Sequence, residues 1–296
     1  MQPPMESVFS IIPIKCNSRR KMPRSRLSIF ALILITSLTV YTRSHQAEVT
    51  TPKDTIKLFN GKDLANFHTW LVDHQRKDPE LVFSVVDQID GAPAIRVSGQ
   101  RYGALITKQK YANYRLIVEF RWSVLTWGGR KDRAKDSGIL LHAQGPEGNT
   151  KPDFNGPWMR SVECQIIEGG LGDFILVNGY DSDGQLLKTR LSVTSSKDRD
   201  GEAVYDPTGK AMEFWENRIN WYGRDPDWKD ALGFRGRKDV ESPDGQWTKV
   251  EVICDGDKVT NIVNGKIVNE GTKSNLTQGQ ILLQSEGRRC SFGEST

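Results

Sequence analysis

Glu163, Gln165 and Glu168 are the residues of this chain best placed to do chemistry. They lie in Val162-Glu163-Cys164-Gln165-Ile166-Ile167-Glu168, which runs directly into Gly169-Gly170-Leu171-Gly172-Asp173. Side chains alternate between the faces of a strand, so Glu163 and Gln165 point one way while Val162, Cys164 and Ile166 point into a core. Glu168 is five residues from Glu163 and falls on the opposite face of a regular strand. A bulge at Ile166-Ile167 would return it to the same face. Two carboxyl groups and an amide then line one surface, and glycosidic chemistry uses such a pair as proton donor and as nucleophile or base. The competing reading is an edge strand with a solvated charged face.

Other side chains could complete that surface. His142 ends a predicted strand before a Gly-Pro loop, where a histidine serves either as a proton acceptor or as a structural residue. Arg160 and Lys135 are cations beside the same region, each otherwise a plain surface charge. Trp127 adjoins the charged run 128–133 and could stack on a sugar. Trp215, Trp221 and Trp228 lie in the long aperiodic stretch 197–246, which reads as a wall or lid over a cleft or as an inserted subdomain. Asp181-Ser182-Asp183-Gly184 resembles part of a calcium loop without its remaining ligands, and reads as a hairpin turn.

The elements that must position these groups are short strands. Residues 114–122 alternate most clearly, with Tyr114, Leu116, Val118, Phe120 and Trp122 on one face. Further strands are predicted over 82–86, 94–98, 104–107, 138–142, 173–177, 247–254, 259–263, 266–269 and 280–284, with hairpin turns at Asp255-Gly256 and Asn264-Gly265. No long helix is predicted. The pattern implies an all-β fold, an antiparallel two-sheet sandwich of jelly-roll type.

Residues 1–47 read as a leader: basic residues from Arg19 to Arg26 precede an apolar run, 27–40, that is short for a membrane span. Met22 is a candidate start, with 1–21 a gene-model extension, and cleavage is expected near Ala47; an uncleaved anchor is the alternative. Export to the periplasm or beyond follows, with no membrane span after cleavage. Residues 48–56 read as a linker and 57–287 as one domain. Without the leader the chain carries 34 basic and 36 acidic residues, net −2, which leaves no nucleic-acid footprint. Cys164 and Cys254 occupy core-facing positions, as free thiols or, if their strands are neighbours, as a disulfide.

In order along the chain, Leu58-Phe59-Asn60-Gly61-Lys62-Asp63-Leu64, Thr107-Lys108-Gln109-Lys110-Tyr111, Phe120-Arg121, Asp136-Ser137-Gly138-Ile139, Glu163-Cys164-Gln165-Ile166, Val263-Asn264-Gly265 and Gly279-Gln280-Ile281-Leu282-Leu283-Gln284 resemble the 3-keto-disaccharide hydrolase domain family. The resemblance implies a concanavalin A-like lectin/glucanase fold, export and action on oxidised glycosides. More distantly the chain resembles laminarinase-type glucanases, whose active strand reads Glu-x-Asp-x-x-Glu. Here Gln165 replaces the aspartate, and an amide neither carries charge nor exchanges a proton with Glu163, which argues against ordinary retaining hydrolysis. A 3-keto group instead acidifies the C2 proton, so that a base can remove it and the enolate expels the glycosidic oxygen before water adds. The candidates are His142 or Glu163 as base, Arg160, Lys135 or a divalent metal such as calcium at the enolate, and Glu168 as acid. Gln165, Trp127 and the three later tryptophans would bind the carbohydrate. The alternative is a lectin-like module of the cell envelope without chemistry. Residues 288–296 depart from the apolar strand that the resemblance expects there, and read as a frame-shifted remnant of it.

Overall fold

The computed structural model describes residues 9–14 and 48–293. In chain order the principal strands are β1 (Ser10–Pro13), β2 (Phe67–Leu71), β3 (Phe83–Ile89), β4 (Ala92–Val97), β5 (Gly103–Thr107) and β6 (Tyr114–Thr126). They continue with β7 (Asp136–Gln144), β8 (Arg160–Ile167), β9 (Phe174–Val177), β10 (Leu191–Lys197), β11 (Ala203–Tyr205) and β12 (Lys210–Phe214). The last are β13 (Arg218–Ile219), β14 (Thr248–Asp255), β15 (Lys258–Val263), β16 (Lys266–Thr272), β17 (Gln280–Ser285) and β18 (Arg288–Gly293).

These strands form two antiparallel sheets. The larger, of twelve strands, has the order β11-β10-β16-β15-β14-β6-β18-β4-β3, with β1 beside β6, the short strand Ile56–Lys57 beside β1, and β12 beside β10. The smaller, of seven, has the order β13-β9-β8-β7-β17-β5-β2. The chain changes sheet between β5 and β6, between β6 and β7, and again between β17 and β18. Such crossings give the two-sheet jelly roll, because each apolar strand face can be covered only by the opposite sheet.

The core follows from alternation. Leu116, Val118 and Phe120 of β6 meet Val162, Cys164 and Ile166 of β8 between the sheets, with Val250, Val252 and Cys254 of β14 in the same cluster. Each such side chain contributes about 1.5–3 kcal/mol by leaving water. Cys164, Cys254 and Cys290 are buried free thiols. Both predicted hairpin turns join paired strands, Asp255↔Lys258 and Val263↔Lys266.

Three departures from the sequence reading have physical causes. Residues 9–14, assigned there to the leader, carry Phe9 and Ile11 into the core, and Phe9 stacks on Phe67 with ring centroids 5.6 Å apart. Ser10 to Pro13 pair with Ile117 to Tyr114 of β6, while β18 pairs with β6 from Thr126 to Glu119, so β1 and β18 lie end to end along one edge. The apolar run 27–40, Met22 and Ala47 fall outside the described residues. The stretch 197–246 is not one loop, since β11, β12 and β13 rise from it and join the sheets. Residues 288–293 form a strand paired on both sides, with Cys290 and Phe292 in the core.

Ile11 is fully buried. Ile11→Ala should therefore destabilise the chain by about 2–4 kcal/mol in urea unfolding, while Ile267→Ala, at an exposed position, should change it by less than about 0.5 kcal/mol. Equal, small effects would show that β1 is not part of the folded unit.

Candidate active site on the outer face of the smaller sheet

Glu163 stands in the middle of β8 with Leu140 of β7 on one side and Ile175 of β9 on the other. Partner by partner, the row across the sheet reads His68, Ile106, Leu282, Leu140, Glu163, Ile175 and Arg218. Alternation puts this row on the face away from the core. The half toward β2 is apolar: Trp70, Ile106, Leu140, Met159 and Leu282 pack together there. The half toward β13 is charged.

Gly138, opposite Gln165, leaves the space in which Glu163 and Gln284 approach each other. A Cβ on it would lie 2.3 Å from Glu163 Oε1 and 2.5 Å from Gln284 Oε1. Glu163 is only 3% exposed, and its Oε1 and both polar atoms of the Gln284 side chain are buried without a hydrogen-bond partner. Gln165 Nε2 donates to Asp136 Oδ1 at 2.6 Å. Asp136 is also ion-paired with Arg130, whose guanidinium bonds Asp230 at 3.0 Å and lies 3.7 Å from Glu286. Asp230 in turn accepts the Ala134 amide, tying the later segment to the turn that carries Arg130.

Desolvation dominates the electrostatics. Burial, reinforced by the charge of Glu286, holds the Glu163 carboxyl well above the usual carboxylate range against the opposing pull of Arg218. Burial likewise raises Glu286 to about 7, against Arg130 and Arg218. Asp173 is raised by burial and opposed by Arg224 and Arg218; both guanidiniums pair with it, Arg218 at 3.0 Å. A neutral acid and a second carboxyl poised near neutrality therefore share one face, the separation of roles that acid–base sites use.

The structure divides the residues expected from the sequence. Glu163 and Gln165 share a face as expected. Glu168 does not join them: β7 and β8 pair without interruption from Asp136↔Ile167 to Leu141↔Val162, so Ile166-Ile167 carries no bulge and strict alternation sends Glu168 the other way. There it is fully buried, 3.1 Å from Lys135 Nζ, and it accepts the Gly233 amide at 2.9 Å. Lys135 also pairs with Asp244 at 2.5 Å, so it is withdrawn from Glu163 as well.

The irregularity lies instead in β7, between Leu141 and Gln144, where His142 adopts φ +53°. The turn of backbone puts its ring edge-on to Tyr114, centroids 5.5 Å apart, with Nδ1 bonded to the Leu276 carbonyl at 3.0 Å. Burial lowers its pKa to about 4. His142 is thus a neutral core residue on the far side of the sheet from Glu163.

Arg160 donates to the Lys188 carbonyl at 2.7 Å rather than facing Glu163. Trp127 bonds the Ser98 carbonyl at 2.7 Å. The three later tryptophans do not form one wall: Trp221 is in the core, Trp215 is exposed under Arg190, and Trp228 lies under Arg224 with its Nε1 on the Glu168 carbonyl at 2.8 Å. Glu286, Gln284, Asp136, Arg130 and Arg218 were not singled out from the sequence. Gln284 and Asp136 stand in motifs of the family resemblance without a role assigned to them, and for Glu286 the alternation with Gln284 was the signal available. Asp181 accepts the Asp183 and Gln185 amides in a hairpin turn.

Among the described residues no group of three or more His, Cys, Asp or Glu is placed to hold a metal ion. The carboxylate of Asp136 is engaged by a guanidinium and an amide, so the donor set beside Glu163 does not fit a divalent metal and no step is assigned to one.

With this geometry in view, the match of residues 54–294 to the model of the 3-keto-alpha-glucoside-1,2-lyase-like domain is decisive. The chain belongs to that family. Membership marks it as a hydrolase- or lyase-type domain that handles saccharides. Solved structures similar to it include a Parabacteroides distasonis protein provisionally named a glycosyl hydrolase, 17% identical over 81% of this chain and 90% of that one, TM-score 0.43. Another is the carbohydrate-binding module CBM66 of Bacillus subtilis, 10% identical over 77% and 92%, TM-score 0.39. A third is a Bacillus licheniformis β-glucanase, 12% identical over 72% and 80%, TM-score 0.33. None of these likenesses gives a residue a role. No curated protein matches the chain. Among the described residues no helix is long and apolar enough to cross a membrane.

The raised carboxyl of Glu286 also bears on stability. Its folded pKa, about 7 against the ordinary 4.5, means that the folded state retains a proton which the unfolded state gives up across that window. Stability contributed by this group is full below the unfolded value and is lost as pH rises toward about 7. The thermal midpoint should therefore decline from about pH 4.5 to 7, and Glu286→Gln should flatten part of that decline. An identical slope in the variant would exclude Glu286 as its source.

Proposed function

We propose that this chain acts on 3-keto-glycosides by removing the C2 proton, eliminating the C1 substituent and hydrating the product, at the face that carries Glu163. The observation that carries the reading is the pair Glu163 and Glu286: two buried carboxyl groups on one surface, one neutral and the other poised near pH 7. Family membership supplies the substrate class, and Gln165 beside Glu163 supports elimination over a retaining double displacement.

In the proposed reaction ionised Glu286 takes the proton from C2, and the electron pair moves into the C3 carbonyl to form an enolate. The Arg218 and Arg130 guanidiniums are the cations nearest to that charge, and stabilise it as fixed, pre-oriented donors. The enolate then re-forms the carbonyl, a C1–C2 double bond forms as the C1–O bond breaks, and the departing glycosidic oxygen takes its proton from neutral Glu163. Water adds across the double bond to give net hydrolysis. The amides of Gln165 and Gln284 donate to sugar hydroxyls or to the carbonyl. Export, expected from residues outside the described set, is part of the same proposal.

One observation favours the second reading, a binding module without chemistry. The cavity of about 800 Å³ beside Glu168 is not lined by Glu163. Turnover separates the two readings. With a 3-keto-disaccharide, Glu163→Gln should lower kcat by at least about a hundredfold in a normally folded protein, since a positioned acid or base is worth roughly 10²–10⁴. In deuterated water the keto-sugar should gain deuterium at C2, and Glu286→Gln should abolish that exchange. Binding of the sugar with neither turnover nor exchange would establish the module instead.

A removal of space should act in the same direction. Gly138→Val puts atoms where Glu163 and Gln284 now meet, and should cost at least about tenfold in turnover while Gly129→Ala, beside open space, leaves it unchanged.

A further inference from the structure

The cavity of about 800 Å³ at the end of the sandwich lies on the opposite side of β8 from Glu163 and serves no step of the reaction above. It opens between the ends of β6 and β18 and the segment around Gly233 and Asp244. Its lining is basic: Arg96, Arg121, Lys131, Lys135, Arg288 and Arg289 contribute cations, against the carboxylates Asp132, Glu168 and Asp244.

Three of these guanidiniums are incompletely bonded. The Nε atoms of Arg96, Arg288 and Arg289 are buried without a hydrogen-bond partner, and all three residues line the cavity, Arg96 donating through Nη2 to the Leu81 carbonyl. Trp122, in the same lining, has its indole N–H buried and unpartnered as well. Unmet donors of this kind are costly in a folded chain, about 1–3 kcal/mol each and more for charged groups. Arg289 is depressed by burial and by the neighbouring Arg96 charge, so the two cations are close enough to repel each other. Lys135 pairs with Glu168 at 3.1 Å and with Asp244, and Arg121 pairs with Asp90, which leaves Arg96, Arg288 and Arg289 as the excess charge.

We infer that this cavity binds an anionic saccharide, one bearing a carboxylate or a sulfate ester. Guanidinium forks match the paired oxygens of such groups, the indole N–H suits a hydroxyl, and the volume accommodates a disaccharide rather than a bare ion. The site is independent of the chemistry assigned to Glu163. It would hold an acidic sugar unit while leaving the outer face of the smaller sheet free.

Calorimetric titration of the full chain tests this, with digalacturonate, a sulfated disaccharide, neutral galactobiose and inorganic sulfate as probes. The expected result is that at least one anionic disaccharide binds at least tenfold more tightly than galactobiose and than inorganic sulfate. That affinity should fall at least tenfold in Arg289→Met, fall a fewfold in Trp122→Phe, fall with added salt, and be unchanged in Glu163→Gln. Arg96→Met gives the same reading should Arg289→Met not fold. Failure of both anionic disaccharides to bind, equal binding of galactobiose, or an affinity indifferent to both arginine substitutions would overturn the assignment. Binding of sulfate as tight as that of the sugar would reduce the site to an anion site.

Discussion

Everything at the candidate site depends on one constraint, the alternation of β8 between two packed surfaces. Val162, Cys164 and Ile166 are locked into the core, and a slip of one residue would turn all three to the outer face and drive Glu163 and Gln165 between the sheets. The apolar side therefore fixes where the polar side points. It also fixes the cost borne there: Glu163 stands among other side chains rather than in water, and an ionised carboxylate so placed is strongly disfavoured. The raised pKa is thus chiefly a consequence of sheet packing, with the charge of Glu286 adding to it.

The same constraint separates two sets of charges that are close in sequence. Lys135 and Asp136 are neighbours, yet Asp136 joins Gln165 and Arg130 on one side of the smaller sheet while Lys135 joins Glu168 on the other. A single strand of eight residues thereby serves two chemically different surroundings. One holds Glu163, whose carboxyl burial raises well above the usual range, beside Glu286 near 7; the other holds guanidiniums in excess.

The strands were legible because alternation and Asn-Gly or Asp-Gly turns are local signals, and the observed limits of the long strand at Tyr114 differ from expectation chiefly in its extension to Thr126. The face shared by Glu163 and Gln165 was legible for the same reason. What could not be read was long-range. Arg218 reaches the Glu163 row through β9, while Gln284 arrives on β17 and Glu286 just after its end, more than a hundred residues on. Two local judgements also failed. The bulge expected after Ile166 sits in β7 instead, and that shift both sends Glu168 away and turns His142 inward. Neither strand's sequence alone shows which of two paired strands takes up the extra residue. Tryptophan content suggested a common wall, but burial depends on register, and Trp221 packs in the core while Trp215 does not.

The end-to-end placement of β1 and β18 along β6 has a kinetic consequence. During synthesis β6 emerges long before β14 and β18, its two principal partners, and among the described residues only 10–13 are available to it from earlier in the chain. Contacts of such sequence separation form slowly. The nascent polypeptide must therefore keep the strongly apolar β6 from pairing with other chains until residues near 293 have left the ribosome. Its yield in a cell will be governed by the chaperones that bridge this interval as much as by the stability of the finished sandwich.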